Sequence, residues 1–249
     1  MRYARFVLRS LWFGAVLMLF MAEYTFLVLR HLGTPPMQVR TRWLSRCSRR
    51  TLRVFDIEFK AEGLPPNTGL MVSNHLSYLD ILVYSSLTEG TFVSKSEVRH
   101  WPVFGWFARM SGTIFVRRTR RMEAVSAGQE IRRVLDQGQL VILFPEGTST
   151  NGSEILPFKS SLLEPATNHN TPLHIGAIHY TLADGCAANE VCYWGDQTFF
   201  PHFTNLMTKE HVKARVRFAP VQRPTSDRKQ LARYLHGEIA KLKGGIAVD

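Results

Sequence analysis

The chain has 249 residues, 45% of them hydrophobic and 20% charged, which excludes a disordered or repetitive polymer and leaves enough apolar residues for a globular core plus an appendage. Its 31 lysines and arginines outnumber its 20 aspartates and glutamates, giving a net charge of +11, so an anionic partner is expected: nucleic acid, anionic lipid or a phosphorylated small molecule. Cys47, Cys186 and Cys192 form no C-x-x-C pair, which argues against a disulfide framework and for reduced thiols in a cytosol-facing protein.

The first predicted element is the apolar stretch from Ser10 to Leu29, SLWFGAVLMLFMAEYTFLVL, interrupted only by Glu23. As a helix it is about 30 Å long, the thickness of a bilayer's hydrocarbon core. No A-x-A-like site follows it, so a cleaved signal peptide is the poorer reading. Arg2, Arg5 and Arg9 precede it and Arg30 follows, so the positive charge does not orient it, and it can either span the membrane or lie in the interface. Glu23 is costly against lipid unless it faces protein or water.

Pro35 and Pro36 break the chain before MQVRTRWLSRCSRRTLRVFD. This segment reads as a basic amphipathic helix with Trp43, Leu44, Cys47, Leu52 and Val54 as its apolar residues, suited to an anionic membrane surface or to packing against the rest of the chain. No helix-turn-helix, zinc-finger or ribonucleoprotein pattern occurs, so nucleic acid is not the expected partner. Residues 1–55 are therefore expected to form membrane-anchoring helices at the cytoplasmic face, and residues 56–249 a separate domain.

From residue 56 short apolar runs alternate with longer amphipathic ones, the pattern of an α/β domain. Strands are expected at Asp56–Lys60, Gly69–Ser73, Thr91–Ser94, Thr113–Arg117, Leu140–Phe144, Leu173–His179, Val191–Trp194 and Val212–Phe218. Helices are expected at Ser77–Leu87, Val103–Met110, Arg121–Asp136 and Ser226–Lys243. The last carries Leu231, Tyr234, Leu235, Ile239 and Leu242 at helical spacing, a packing stripe and not a site.

Three stretches can carry chemistry. In VSNHLSYLD, His75 and Asp80 stand five positions apart; on one α-helix they would diverge by roughly 140°. Ser77-x-x-Asp80 resembles a capping box, and Ser77 as N-cap leaves His75 outside the helix where Asp80 can reach back to it. The pair can thus be a base with its orienting carboxylate, or only a helix start. In GTIFVRR a strand ends in Arg117 and Arg118, where a planar guanidinium suits phosphate in the ligand crevice or simply meets solvent.

FPEGTST, from Phe144 to Thr150, follows an apolar strand with a turn able to offer backbone donors to an anion, and Pro157-Phe158-Lys159 comes soon after. Gly147–Asn151 departs from G-x-S-x-G only at its last position, which keeps serine hydrolysis through Ser149 as a second reading. His169, His174 and His179 recur every five residues; on a strand that spacing alternates faces, and no metal site is expected.

Taken in order, Asn74-His75-x-x-x-x-Asp80, GTIFVRR and FPEGTS resemble the motifs of the glycerolipid acyltransferase family, which includes the 1-acylglycerol-3-phosphate acyltransferases. The resemblance covers roughly residues 65–220 together with the apolar, basic N-terminus. It implies a mixed, mostly parallel sheet flanked by helices, and transfer of a fatty acyl group from acyl-CoA or acyl carrier protein to the free hydroxyl of a lysolipid. It implies no metal, no resident cofactor and no covalent acyl-enzyme. By position His75 is the implied general base and Asp80 its partner, while Arg117, Glu146, Gly147, Thr148 and Lys159 are implied contacts to the acceptor's polar head.

Two positions depart from the family's pattern: Ser149 stands where arginine is usual, and Gly176 where proline is usual. The default acceptor is 1-acylglycerol-3-phosphate, giving phosphatidic acid, with a lyso-aminolipid such as lyso-ornithine lipid as the alternative. A serine lipid hydrolase and a non-catalytic lipid-binding membrane protein are the readings from other classes.

Overall fold

A computed structural model of the chain describes residues 2–116, 121–167, 171–222 and 225–246. Among these residues, seven strands form one sheet: β1 (Ile57–Glu62), β2 (Gly69–Ser73), β3 (Gly90–Lys95), β4 (Ile114–Val116), β5 (Leu140–Leu143), β6 (Leu173–Leu182) and β7 (Val212–Pro220), in the order β1-β7-β6-β2-β5-β3-β4. Every neighbouring pair is parallel except β6 with β7. The central strands β2 and β5 are buried at every residue, which is why GLMVS and LVIL read as unbroken apolar runs and not as alternating ones.

Period-2 alternation sends successive side chains to opposite faces of this sheet. Met71, Ile142, Ile178, Tyr180 and Ala214 meet α2 (Met37–Val54), α3 (Leu79–Leu87) and α7 (Phe199–Leu206). Leu70, Val72, Val141, Leu143 and Ile175 meet α5 (Arg121–Asp136), the 3-10 turn Ser160–Thr167 and α8 (Arg228–Gly244). The stripe expected on α8 is buried at Leu231, Leu235 and Ile239, and Asp227 caps this helix by accepting from the backbone N–H groups of Lys229 and Gln230 at 2.9 and 2.8 Å.

The expected division at residue 55 does not divide the core. α1 (Arg2–Arg30) contributes Val16 and Phe20, and α2 contributes Trp43, Leu44 and Leu52, to the same cluster as the sheet. Phe13 lies 5.3 Å from Phe55 and 5.6 Å from Phe203, centroid to centroid, and Trp43 stacks on Phe107 at 5.7 Å. The N-terminal end of α1 is tied by Arg5 to Glu210 and by Arg9 to Asp56 at 3.5 Å. Further along, Glu23 meets Arg50 of α2 at 2.6 Å, which answers the cost of that carboxylate within an apolar helix. The opposite face of α1, with Leu8, Leu11, Trp12, Met18, Leu19, Phe26 and Leu29, is exposed.

The strand expected at Val191–Trp194 is instead the exit of a short helix, α6 (Ala187–Glu190). The N–H groups of Val191 and Cys192 bond back to the Ala187 carbonyl at 3.0 and 2.9 Å, and that of Tyr193 goes to Leu76 at 2.8 Å. These residues are apolar because Val191 and Cys192 are buried against the core, and burial in a turn needs the same residue types as burial in a sheet.

Candidate active site

The site is built where β2 ends. Just beyond Ser73, the side-chain amide of Asn74 clasps β6 twice: Nδ2 donates to the Ile178 carbonyl at 3.0 Å, and Oδ1 accepts from the Ile178 N–H at 2.9 Å. His75 follows in the turn that leads to α3. Asp80, in the first turn of that helix, is wholly buried. Its Oδ2 lies 2.7 Å from His75 Nδ1 and accepts the N–H groups of Leu76 and Ser77 at 2.7 and 3.1 Å. His75 therefore sits outside the helix and Asp80 reaches back to it.

The capping group differs from the expected one. Tyr78, not Ser77, is the N-cap residue, and it makes no side-chain cap. Ser77 Oγ is buried without a hydrogen-bond partner among the described residues. The Asp80 carboxylate satisfies the turn's backbone donors and orients the imidazole together.

A carboxylate on one nitrogen assigns the tautomer: Nδ1 carries the proton and Nε2 keeps its lone pair. No described residue bonds Nε2, and the His75 side chain is 20% exposed. The ring stacks on Phe144 at 4.2 Å with an interplanar angle of 13°.

Phe144 opens the FPEGTS motif, which grips the His75 backbone. The His75 N–H donates to Glu146 Oε1 at 2.7 Å, and the His75 carbonyl accepts from Thr150 N–H at 3.0 Å. Glu146 Oε2 accepts from Leu156 N–H at 2.7 Å, and the residue is 2% exposed. Burial pushes this carboxyl upward against the opposing pull of the two backbone donors. Glu146 thus departs from its expected place among head-group contacts: both oxygens are closed off by peptide groups. Gly147 turns the chain at φ 72°, a left-handed conformation, and leaves Thr148 exposed.

Lys159 is exposed, and its backbone N–H bonds to the Pro145 carbonyl at 2.9 Å. Arg117, Arg118 and His169 lie outside the described residues. Ser149 Oγ donates to the Tyr193 carbonyl and not to His75, so the base–nucleophile bond of a serine hydrolase is not formed among the described residues. Where arginine is usual, this serine fastens the turn at Tyr193 to the FPEGTS motif. Gly176 also gains a reason, because a Cβ there would meet Tyr84 Oη at 2.8 Å while that ring fills the space beside Ser73.

One site residue escaped the sequence reading. The phenol of Tyr180, on β6, donates to Asp80 Oδ1 at 2.8 Å. The only signal was a tyrosine in a strand otherwise rich in buried residues, where a buried hydroxyl requires a partner.

A family model described as Acyltransferase matches residues 56–179. The chain is 37% identical over 197 residues to the lyso-ornithine lipid O-acyltransferase of Brucella abortus, covering 73% of this chain and 72% of that one. It is 32% identical over 202 residues to the protein of the same name from Pseudomonas aeruginosa, covering 80% and 76%. With the 1-acyl-sn-glycerol-3-phosphate acyltransferase of Neisseria meningitidis it shares 32% identity over 145 residues, 57% of this chain and 56% of that one. The crystal structure of the 1-acyl-sn-glycerophosphate acyltransferase PlsC from Thermotoga maritima superposes over 100% of both chains with a TM-score of 0.67 at 21% identity, the same fold.

Proposed function

Because this chain belongs to the glycerolipid acyltransferase family, and is on that ground an O-acyltransferase of lysolipids, we propose that His75 is its general base. The observation that carries this is the 2.7 Å contact of Nδ1 with buried Asp80, together with an Nε2 that no described residue bonds. Nε2 takes the proton of the acceptor's free hydroxyl as its oxygen attacks the thioester carbonyl. The new C–O bond forms, the C–S bond breaks, and the imidazolium returns its proton to the departing thiolate. Asp80 holds the productive tautomer and stabilises the charged ring between these steps.

Glu146 we assign to positioning the His75 peptide. Arg117, Thr148 and Lys159, with the turn at Gly147, are proposed to meet the acceptor's polar head. The donor is proposed to be acyl-CoA or acyl carrier protein, and the reaction to run without metal or resident cofactor. The exposed apolar face of α1 and the arginines of α2 are proposed to hold the enzyme on an anionic membrane surface at its cytoplasmic face.

Lyso-ornithine lipid is the acceptor we propose. Four relatives carry that activity in their names. Ser149 in place of the usual arginine also gives the site one positive charge fewer, which suits a zwitterionic ornithine head better than a phosphate monoester. The Neisseria relative supports 1-acylglycerol-3-phosphate as the second reading. Thiol release with each acceptor, and mass spectrometry of the products, decides between them; full activity in His75→Ala refutes the mechanism for either.

A further inference from the structure

Asp80 has two carboxylate oxygens, and the local turn accounts for only one. Oδ2 is saturated by His75 Nδ1 and the N–H groups of Leu76 and Ser77. Oδ1 is served from 100 positions away by the hydroxyl of Tyr180 at 2.8 Å. Asp80 is 0% and Tyr180 2% exposed, so solvent does not stand in for the phenol at this oxygen.

Tyr180 is held where it must be. Two residues before it Ile178 is clasped by Asn74, and on its far side Tyr180 pairs with Ala214 of β7. The motif turn is thus tied to β6 at both ends, by Asn74 before the histidine and by Asp80 after it.

We propose that Tyr180 is a positioning residue of the transfer reaction: its phenol fixes the rotation of the Asp80 carboxylate so that Oδ2 stays directed at His75 Nδ1. A carboxylate bonded on one oxygen alone turns about its χ2, and each turn weakens the bond that orients the base. Burial raises Tyr180 well above its ordinary range, so it stays a donor wherever the enzyme is assayed. The inference rests on the reading of His75 and Asp80 as the base pair, and its test separates the two.

The test is a double-mutant cycle on the full chain in detergent or vesicles, read as kcat and KM for both substrates, with melting temperature as the folding control. Tyr180→Phe removes one oxygen and is expected to lower kcat about tenfold, with KM within about twofold. In the Asp80→Ala background the same change is expected to cost less than about twofold, because the oxygen it acts through is gone. 3-Fluorotyrosine at position 180 keeps ring and hydroxyl while making the phenol more acidic, and it should alter kcat in the Asp80 background alone. Equal factors in both backgrounds, or a kcat unmoved by either change at position 180, overturn the proposal. Full activity of Asp80→Ala itself overturns the base-pair reading instead.

Discussion

Replacing Glu146 with glutamine tests whether this residue holds the enzyme or the substrate. Its two oxygens accept the N–H groups of His75 and Leu156 at 2.7 Å each. An amide keeps one acceptor and turns an NH2 toward the other buried N–H, so donor faces donor. Losing a bond to a charged group costs about 1.5–3 kcal/mol, and the stranded N–H about 1–3 more. Against this, the neutral amide is relieved of the burial penalty that pushes the Glu146 carboxyl upward. The net destabilisation is then about 2–4 kcal/mol, or a melting temperature lower by about 5–15 °C for a chain of this size. The loosened His75 peptide should also lower kcat while leaving the acceptor KM alone. Thermal unfolding in detergent and thiol release across an acceptor titration measure both. A Glu146→Gln protein with unchanged melting temperature and kcat but a raised acceptor KM refutes the positioning role and restores the head-group contact.

Three further outcomes follow from the packing. Gly176→Ala drives a Cβ to 2.8 Å from Tyr84 Oη, and urea unfolding should show a loss of about 1–3 kcal/mol; an unchanged midpoint means Tyr84 moves aside freely. Burial lowers His202 below its ordinary value of 6.5, where the neutral ring accepts from Tyr78 Oη and donates to the Cys192 carbonyl. The unfolded chain then binds the proton more readily, so this stability is present above the unfolded value and is lost as pH falls through the folded one, by at most about 1.4 kcal/mol per pH unit. In His202→Gln the urea midpoint should fall less steeply between pH 7 and 5, and an identical slope would exclude His202 as a source. Finally, serine at Leu8, Leu11, Trp12 and Met18 should reduce flotation with anionic vesicles at unchanged melting temperature, whereas deleting residues 2–34 should lower that temperature by uncovering Trp43, Phe55 and Phe203; binding that survives the serines counts against the outward face.

What could be read in advance was what is local. The His75–Asp80 pair is a matter of five positions and one helix start, so spacing allowed the two to meet, even though Ser77 proved not to cap the helix. Glu146 could not be placed that way. Its partner His75 lies 71 positions away, and a buried acceptor of backbone donors has the same letter as a ligand-binding carboxylate. Tyr180 is a tertiary contact for the same reason. Val191–Trp194 shows the limit of apolar runs, which report burial and leave the backbone's partners open. In α1 both faces are apolar, so no periodicity told the face packed on Phe55 and Phe203 from the one left outside.

α1 is usually the kind of segment one would cut away to obtain a soluble enzyme, and here the cut would breach the wall of the catalytic body. Detaching the protein from lipid calls for recolouring the helix's outer side chains while Phe13, Val16 and Phe20 stay in place. The same pinning, by Arg5 and Arg9 at one end and Glu23 farther along, fastens the helix to that body along its length. If the outer side chains of this helix seat the enzyme on lipid, as proposed, then the keel is part of the hull, and His75 rides at a fixed distance from that helix.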